Sequence, residues 1–547
     1  MFPVIPLFLG FIVFLFARHI LNIHRARSKL PAGPAPLPVI GNLRLLGFQL
    51  HHETLLKIAS VYGDIYTLWL GHTPIIVLNG FQAVKEVLIN HSEDFAERPL
   101  QPFLEDLLGG AKGIIFANGR AWKQQRRFSL TVLRNLGLGK RSLEDCIHHE
   151  ARHLVQAFAQ EQAKPMDPFS PIFCSVNKLI ATILLGHCFS MEDDTLQRLN
   201  KGSKALEEFS GTIWPRHPSG VSRKWCAPLE ARSSCFTARS PCSAAEGVPW
   251  VEWKQRMPPD FGGDVRRFPL FDAFPGLMKH LQPILNRTLT CLVHWKDLER
   301  LVKEEIQQHQ RSWSPEEPRD FIDLYLAQLE KSKDDPTSTF TEANLVQVII
   351  DLFIAGSDTS TIALYWALLY MMAYPEIQER VQEELDTVVD PSRVIRYEDR
   401  KILPFTNAVI HETQRMSSMA AIGIVHKCTK DTNVQGLPIR KGTTILPNIF
   451  SVHYDHKQWE TPRKFNPNHF LDKDGNFINK EAFLPFSAGI RVCLGEKLAR
   501  ATLFIFFTSL LRVFRFQLPE GVKEINSVPM LGAALHPNPY KTCAVPR

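Results

Sequence analysis

The sequence predicts a mostly α fold with minor β, built as a single large domain behind an N-terminal apolar segment. Three observations predict it. Helical periodicity dominates from Phe268 to about Val389. Strand signals are short and confined to a pair near the N-terminus and to the region after Cys428. A hydrophobic content of 45% in 547 residues supplies enough apolar surface for one substantial core. The net charge of +7, without runs of Lys and Arg, argues against a nucleic-acid partner and suits a membrane surface or an anionic partner. The ten cysteines make no paired metal or redox spacing, so reduced thiols on the cytosolic side are expected.

Taken in order, the first element is FPVIPLFLGFIVFLFA, Phe2 to Ala17, an uncharged run followed by Arg18, Arg25, Arg27 and Lys29; the first acidic residue is Glu53. At ~1.5 Å per residue such a span crosses a thin bilayer, and positive charge after the run rather than before it argues for a retained anchor over a cleaved signal peptide. Residues 1–22 are therefore expected to form a transmembrane signal anchor, with the body on the cytosolic side. Residues 23–42 are basic and proline-rich, and the four prolines of KLPAGPAPLPVIGN, Lys29 to Asn42, predict a stiff, extended linker. The domain proper follows over 43–547. Its first strands are expected in DIYTLWLGHTPIIVLNG around Gly71 and His72, and later ones in VQGLPIRKGTTILP.

One stretch breaks the pattern. Trp214 to Arg267 carries four of the ten Trp and three of the ten Cys, with no sustained period. Structureless segments longer than about 12–15 residues are uncommon inside compact domains. Residues 214–267 are therefore expected to be an insertion, disordered or poorly packed, whose composition looks like translated non-coding sequence. RNA sequencing in which most transcripts encode the segment counts against that origin.

The chemistry centres on AFLPFSAGIRVCLGEKLAR, Ala482 to Arg500. A thiolate that binds haem iron needs shelter from water, nearby donors, and small neighbours that let the backbone approach the macrocycle. The pattern F-x-x-G-x-R-x-C-x-G supplies these through Phe486, Gly489, Arg491, Cys493 and Gly495. Arg491 is suited to neutralise a propionate, and the helix that follows sets its N-terminus behind the thiolate. The alternative for any single cysteine is a buried structural residue in a glycine turn.

This motif resembles the ligand loop of the cytochrome P450 superfamily of haem-thiolate monooxygenases, and further signatures follow in that family's order. LVQVIIDLFIAGSDTSTIALYWALLYMM, Leu345 to Met372, is apolar enough for a membrane span, but Asp351 and Asp358 argue against that reading. The two share a helix face, Ala355 and Gly356 offer a flat patch to a planar ligand, and Thr359 is placed to bond back to the Ala355 carbonyl. The stretch is similar to the family's A-G-x-[DE]-T-T, with Ser360 at the second Thr. The resemblance implies that Asp358 and Thr359 are catalytic, delivering protons to iron-bound dioxygen, and that Ala355 contacts haem and substrate. In HETQR, Glu412 and Arg415 face each other along one turn. FNPNHF adds His469 where the family has Arg or His, a neutral group unless protonated, and the resemblance implies that this triad holds the haem pocket. Trp122 and Arg126 in AWKQQRRFSL match the family's W-x-x-x-R propionate contact, and Arg98 in FAERP and His426 in IVHKC occupy further propionate places. Ala421 and Val425 stand where members often carry prolines. Ile114, Phe116, Ala355, Ile422 and Ile424 are the implied substrate-facing residues.

The resemblance covers nearly all of the chain except 214–267, which falls between the family's F and G helices, and is closest to vertebrate microsomal family 2, subfamily J. It implies the cytochrome P450 fold, haem b, and an NADPH-dependent monooxygenase that hydroxylates or epoxidises lipophilic substrates, polyunsaturated fatty acids such as arachidonic acid and xenobiotics. Electrons come through NADPH-cytochrome reductase, with cytochrome b5 as a further partner, at the endoplasmic reticulum membrane. Lys123, Arg126, Arg127, Lys140 and Arg141 read as a basic docking face for the acidic reductase. Two rivals remain open. One is a haem-thiolate isomerase or dehydratase that needs no reductase, which Asp358 and Thr359 disfavour; the other is a non-catalytic isoform inactivated by the insertion.

Overall fold

The computed structural model describes residues 4–47, 50–100, 105, 110–136, 141–187, 189–190, 193–210, 275–314, 318–522, 524–532 and 534–547. The insertion over 214–267 and Lys140 lie outside the described residues.

The chain opens with helix α1 (Val4–Arg27), 24 residues with His24, Arg25 and Arg27 in its last turn, where positive charge complements the helix dipole. The helix thus continues beyond residue 22 into the basic segment. The proline strap after it is extended, as expected, but it is docked rather than free. Thr67 Oγ1 donates to the Pro31 carbonyl (2.8 Å), Thr67 N–H to Ala32 (3.1 Å) and Asn42 Nδ2 to Ala35 (3.2 Å). A Cβ on Gly33 would lie 2.1 Å from the Thr67 carbonyl oxygen, so the strap reaches the sheet only with glycine there. The prolines leave carbonyls without local N–H donors, and Thr67 of the neighbouring strand and the Asn42 side chain supply them.

After α2 (His52–Tyr62), strands β1 (Ile65–Leu70) and β2 (Thr73–Leu78) form the expected antiparallel hairpin about Gly71, whose φ is +62°. Helix α3 (Gly80–Lys85) follows, and then the helical body: α4 (Gly119–Asn135), α5 (Arg141–Gln160), α6 (Phe169–Leu185), α7 (Asp194–Ser210), α8 (Pro275–Ser312), α9 (Phe321–Lys331), α10 (Glu342–Ala373), α11 (Pro375–Val388) and α12 (Pro404–Ser417). Beyond it come β3 (His426–Lys427), β4 (Thr432–Val434), β5 (Leu437–Ile439), β6 (Thr444–Pro447), α13 (Ile449–His453), α14 (Glu496–Val513), β7 (Phe514–Gln517) and β8 (Cys543–Pro546). The main sheet runs β1-β2-β6-β3, with β6 parallel to β2, so the two ends of the domain share one sheet.

Helix α10 is the spine. It packs against α6, α8, α12 and α14, which is why its sequence is apolar almost all round rather than on one stripe. Thr341 caps it by accepting from the Asn344 N–H at 3.1 Å. Among the described residues α10 is the helix long and apolar enough to cross a membrane, yet 61% of its apolar window is buried inside the protein. It is a core helix, the reading that Asp351 and Asp358 favour.

Candidate active site

The loop before α14 is held by short bonds and a single permissive glycine. Cys493 N–H donates to the Phe486 carbonyl at 3.0 Å, closing the turn. Gly489 has φ +73°, and a Cβ there would lie 1.7 Å from the Leu88 carbonyl oxygen, so another residue could neither take the conformation nor fit. At Gly495 the only atom a Cβ would meet within 4 Å is Cys493 Sγ itself, at 4.0 Å. The Cys493 side chain is accessible, although protein closes round it on most sides, so it lies in a recess rather than on the outer surface. Burial pushes its thiol up. The Gly495 and Glu496 N–H groups at the start of α14 and the Arg126 guanidinium pull it back toward thiolate, against the Glu496 carboxylate.

Three guanidiniums converge beside this thiol. Arg126 Nη2, on α4, donates to the Val492 carbonyl at 2.6 Å. Arg491 Nε donates to Ala96 (2.7 Å), its Nη2 to Ala117 (2.7 Å) and to Asn118 Oδ1 (3.2 Å), and its Cζ lies 3.9 Å from the Trp122 ring centroid. Arg98 Nη1 donates to the carbonyls of Ile424 and Val425, both at 2.7 Å, while its Nε is buried without a partner. Among the described residues no carboxylate forms an ion pair with any of the three. Burial, then the neighbouring Arg98 and Arg126 charges, push Arg491 down to about 9, and burial pushes Arg98 down to about 10. Burial and then Arg98 hold His426, on β3, down at about 3, its Nδ1 bonded to the Phe95 carbonyl at 2.8 Å. Buried cations without an anion are costly. The arrangement fits a ligand that would carry anionic groups here and a metal that Cys493 could bind.

The facing wall is α10. In its buried middle, Ala355 and Thr359, one turn apart, are exposed. Thr359 Oγ1 donates to the Ala355 carbonyl at 2.6 Å, the back-bond expected from the sequence. Gly356 does not join Ala355 in a flat patch. A Cβ on it would stand 3.0 Å from Ile180 Cδ1, so its smallness serves the packing of α10 on α6. Asp358 accepts from Ser203 Oγ of α7 at 3.3 Å.

A loop over residues 113–118 bridges the two walls. Asp351 Oδ2 accepts from the N–H groups of Ile114 (2.7 Å) and Ile115 (3.0 Å), and Gln347 Nε2 donates to its Oδ1 (2.8 Å). Arg491 holds the other side of the loop through Ala117. Burial raises the Asp351 carboxyl to about 6 against these N–H donors. Ile114 is buried and Phe116 half-buried. Ile424 is exposed, whereas Ile422 packs against the cluster of α2, β1 and β2 that holds Leu55 and Val77. Sequence reasoning missed Asn118, which ties Arg98 N–H (2.7 Å) and Arg491 to one side-chain oxygen, and missed the loop-holding role of Asp351. A buried Asp in an apolar helix was the available signal for the second; the first had none.

Away from the thiol, Glu412 and Arg415 on α12 are fully buried and doubly bonded, each bond 2.7 Å. His469 Nδ1 lies 3.2 Å from Glu412 Oε2, and its Nε2 accepts from the Thr461 N–H at 3.2 Å. Arg415 already balances the Glu412 carboxylate, and His469 adds a further polar contact to it.

Comparison with known proteins follows this geometry. The cytochrome P450 family profile matches residues 31–221 and 264–544. Human cytochrome P450 2J2 is 38% identical over 541 residues, 99% of this chain and 96% of that protein. Rat cytochrome P450 2D3 is 37% identical over 527 residues, 96% of this chain and 94% of that protein. Mouse cytochrome P450 2J5 is 36% identical over 543 residues, 99% of this chain and 96% of that protein. Relatives named 2J and 2D are equally near, so the likeness reaches family 2 and does not select subfamily J.

Proposed function

Because this chain belongs to the cytochrome P450 family and is a haem-thiolate monooxygenase, we propose that it hydroxylates or epoxidises lipophilic substrates, polyunsaturated fatty acids such as arachidonic acid and xenobiotics, at the endoplasmic reticulum membrane. Electrons come from NADPH through NADPH-cytochrome reductase, with cytochrome b5 as a further partner. The observation that carries the reading is the accessible Cys493 thiol together with the buried guanidiniums of Arg98 and Arg491 and the half-buried one of Arg126, none of which forms an ion pair with a carboxylate among the described residues. When bound, haem supplies the iron at which dioxygen is activated and one oxygen atom is passed to the substrate.

The chain's own residues do the rest. Cys493 Sγ is the protein ligand; burial raises its thiol, and the N–H groups of Gly495 and Glu496 oppose that rise. Arg98, Trp122, Arg126, His426 and Arg491 would hold the two carboxylates of the cofactor, which would pair the charges of the three arginines. On α10, Ala355 leaves a small wall, and the Thr359 hydroxyl donates to the Ala355 carbonyl until a stronger acceptor reaches it. Asp358, one residue before it, is the proton source on the α7 side. Ile114 and Phe116 on the bridging loop, with Ile424 beside the Arg98 contact, give the pocket its apolar face. Helix α1, at 24 residues and ~1.5 Å each, is the membrane anchor, with the basic end of the helix on the cytosolic side.

Reconstitution of the full chain with haem, the reductase and arachidonic acid tests this. NADPH-dependent formation of hydroxylated or epoxidised products is expected. Turnover of a fatty-acid hydroperoxide without reductase, and none with NADPH, would move the protein to the isomerase or dehydratase class.

A further inference from the structure

Helix α5 carries His149-Glu150-Ala151-Arg152-His153, an H-E-x-x-H spacing that puts two imidazoles one turn apart on one helix face. Their ring centroids are 4.6 Å apart, and both residues are exposed. Glu150 is buried beneath them, with Oε1 3.1 Å from His149 Nδ1. One ligand atom from each of the three lies within 4.8 Å of the others, a span that small rotations close to the ~2 Å bonds of a bound zinc ion. Lys178 on α6 sits 3.2 Å from the same Glu150 oxygen, so the carboxylate is fixed in place by a neighbouring helix.

The other cluster of this kind offers no comparable opening. His309, Asp320 and Asp323 are all buried, His309 uses both ring nitrogens on Asp320 and the Glu305 carbonyl, and Asp323 is taken by Arg319. The exposed pair on α5 has free access from solvent and a preset carboxylate.

We propose that His149, Glu150 and His153 form a surface site for a divalent transition cation of the zinc class, at the junction of α5 and α6 and independent of the haem. Waters complete the coordination. The site binds and does not hydrolyse, because the glutamate that acts as general base in H-E-x-x-H metalloproteases is here buried and paired with Lys178.

The test is equilibrium dialysis of the haem-loaded full chain against zinc chloride, comparing wild type with His149→Ala, His153→Ala and the double variant. Background binding by cysteines is common to all four proteins and cancels. The wild type is expected to hold one more zinc ion per chain than the double variant, with each single variant weakened about tenfold or more. His72→Ala, an exposed histidine outside the cluster, should leave the count unchanged. Equal stoichiometry in wild type and double variant would overturn the site, as would an equal loss on His72→Ala. Retention of the haem spectrum in every variant keeps this outcome separate from the assignment of the oxygenase.

Discussion

Around Arg415 the protein closes on itself, whereas around Arg98, Arg126 and Arg491 it stays electrically open. Arg415 meets both oxygens of Glu412 and the carbonyls of His453 (2.7 Å), Pro462 (2.8 Å) and Lys464 (3.1 Å), with His469 completing the carboxylate's shell. The other three guanidiniums have carbonyls, one amide and one indole for company, and Arg98 Nε has nothing. Both clusters are buried positive charge in one fold. The first needs no ligand and so reads as scaffold; the second has no ion pair among the described residues, only a longer-range pull of Glu97 on Arg491, and so reads as a binding site.

The largest effect should come from breaking the closed cluster. Glu412→Gln leaves Arg415 buried without its counter-charge, at a cost of about 3–5 kcal/mol, and thermal unfolding should show that loss equally with and without haem. Arg491→Gln should behave oppositely. It removes one member of a mutually repelling group, so it costs the haem-free protein less, while the rise in Tm on haem binding shrinks markedly. If Arg491→Gln and Glu412→Gln lower the haem-free and haem-loaded proteins alike, the distinction between the two clusters fails.

Thr359→Ala probes a residue that lines the open region without holding charge. Stability and the haem spectrum should be preserved while the yield of product per NADPH consumed falls by about tenfold or more; unchanged coupling would remove the proton-handling role.

Asp351 is the mirror case, a buried anion satisfied by N–H groups alone. Its carboxyl is raised by burial from 3.8 to about 6. A folded-state value above the unfolded one means that its contribution to stability is fully present below about 4 and is lost as the pH rises through about 6. Asp351→Asn, in which Gln347 can turn its amide to match, should flatten the stability profile across that window and change little outside it. A profile that keeps its slope would show that Asp351 is not the titrating group.

Local spacing made the thiol loop, the Thr359 back-bond, the Trp122–Arg126 turn and the Glu412–Arg415 pair legible in the sequence, because each is settled within one or two helical turns. The β1–β2 hairpin was legible for the same reason. What could not be read are contacts between residues hundreds of positions apart. Nothing local says that Asp351 receives the Ile114 N–H, that β6 lies parallel to β2, or that Gly356 faces Ile180 rather than the site, since helical periodicity gives a face but not what that face meets. The proline strap was read as a spacer for a similar reason: its composition predicts extension, and only the fold shows Thr67 waiting beside it. The H-E-x-x-H on α5 went unread in the sequence, and nothing local says that Lys178 fixes its glutamate.

The absorption spectrum of the reduced, carbon-monoxide-treated protein tests the central claim most directly, measured on wild type and on Cys493→Ala. A thiolate-type Soret band in the wild type, absent from the folded variant, is the predicted result. A band that survives Cys493→Ala, or one missing from well-folded, haem-supplied wild type, would contradict the assignment of Cys493 as the iron ligand.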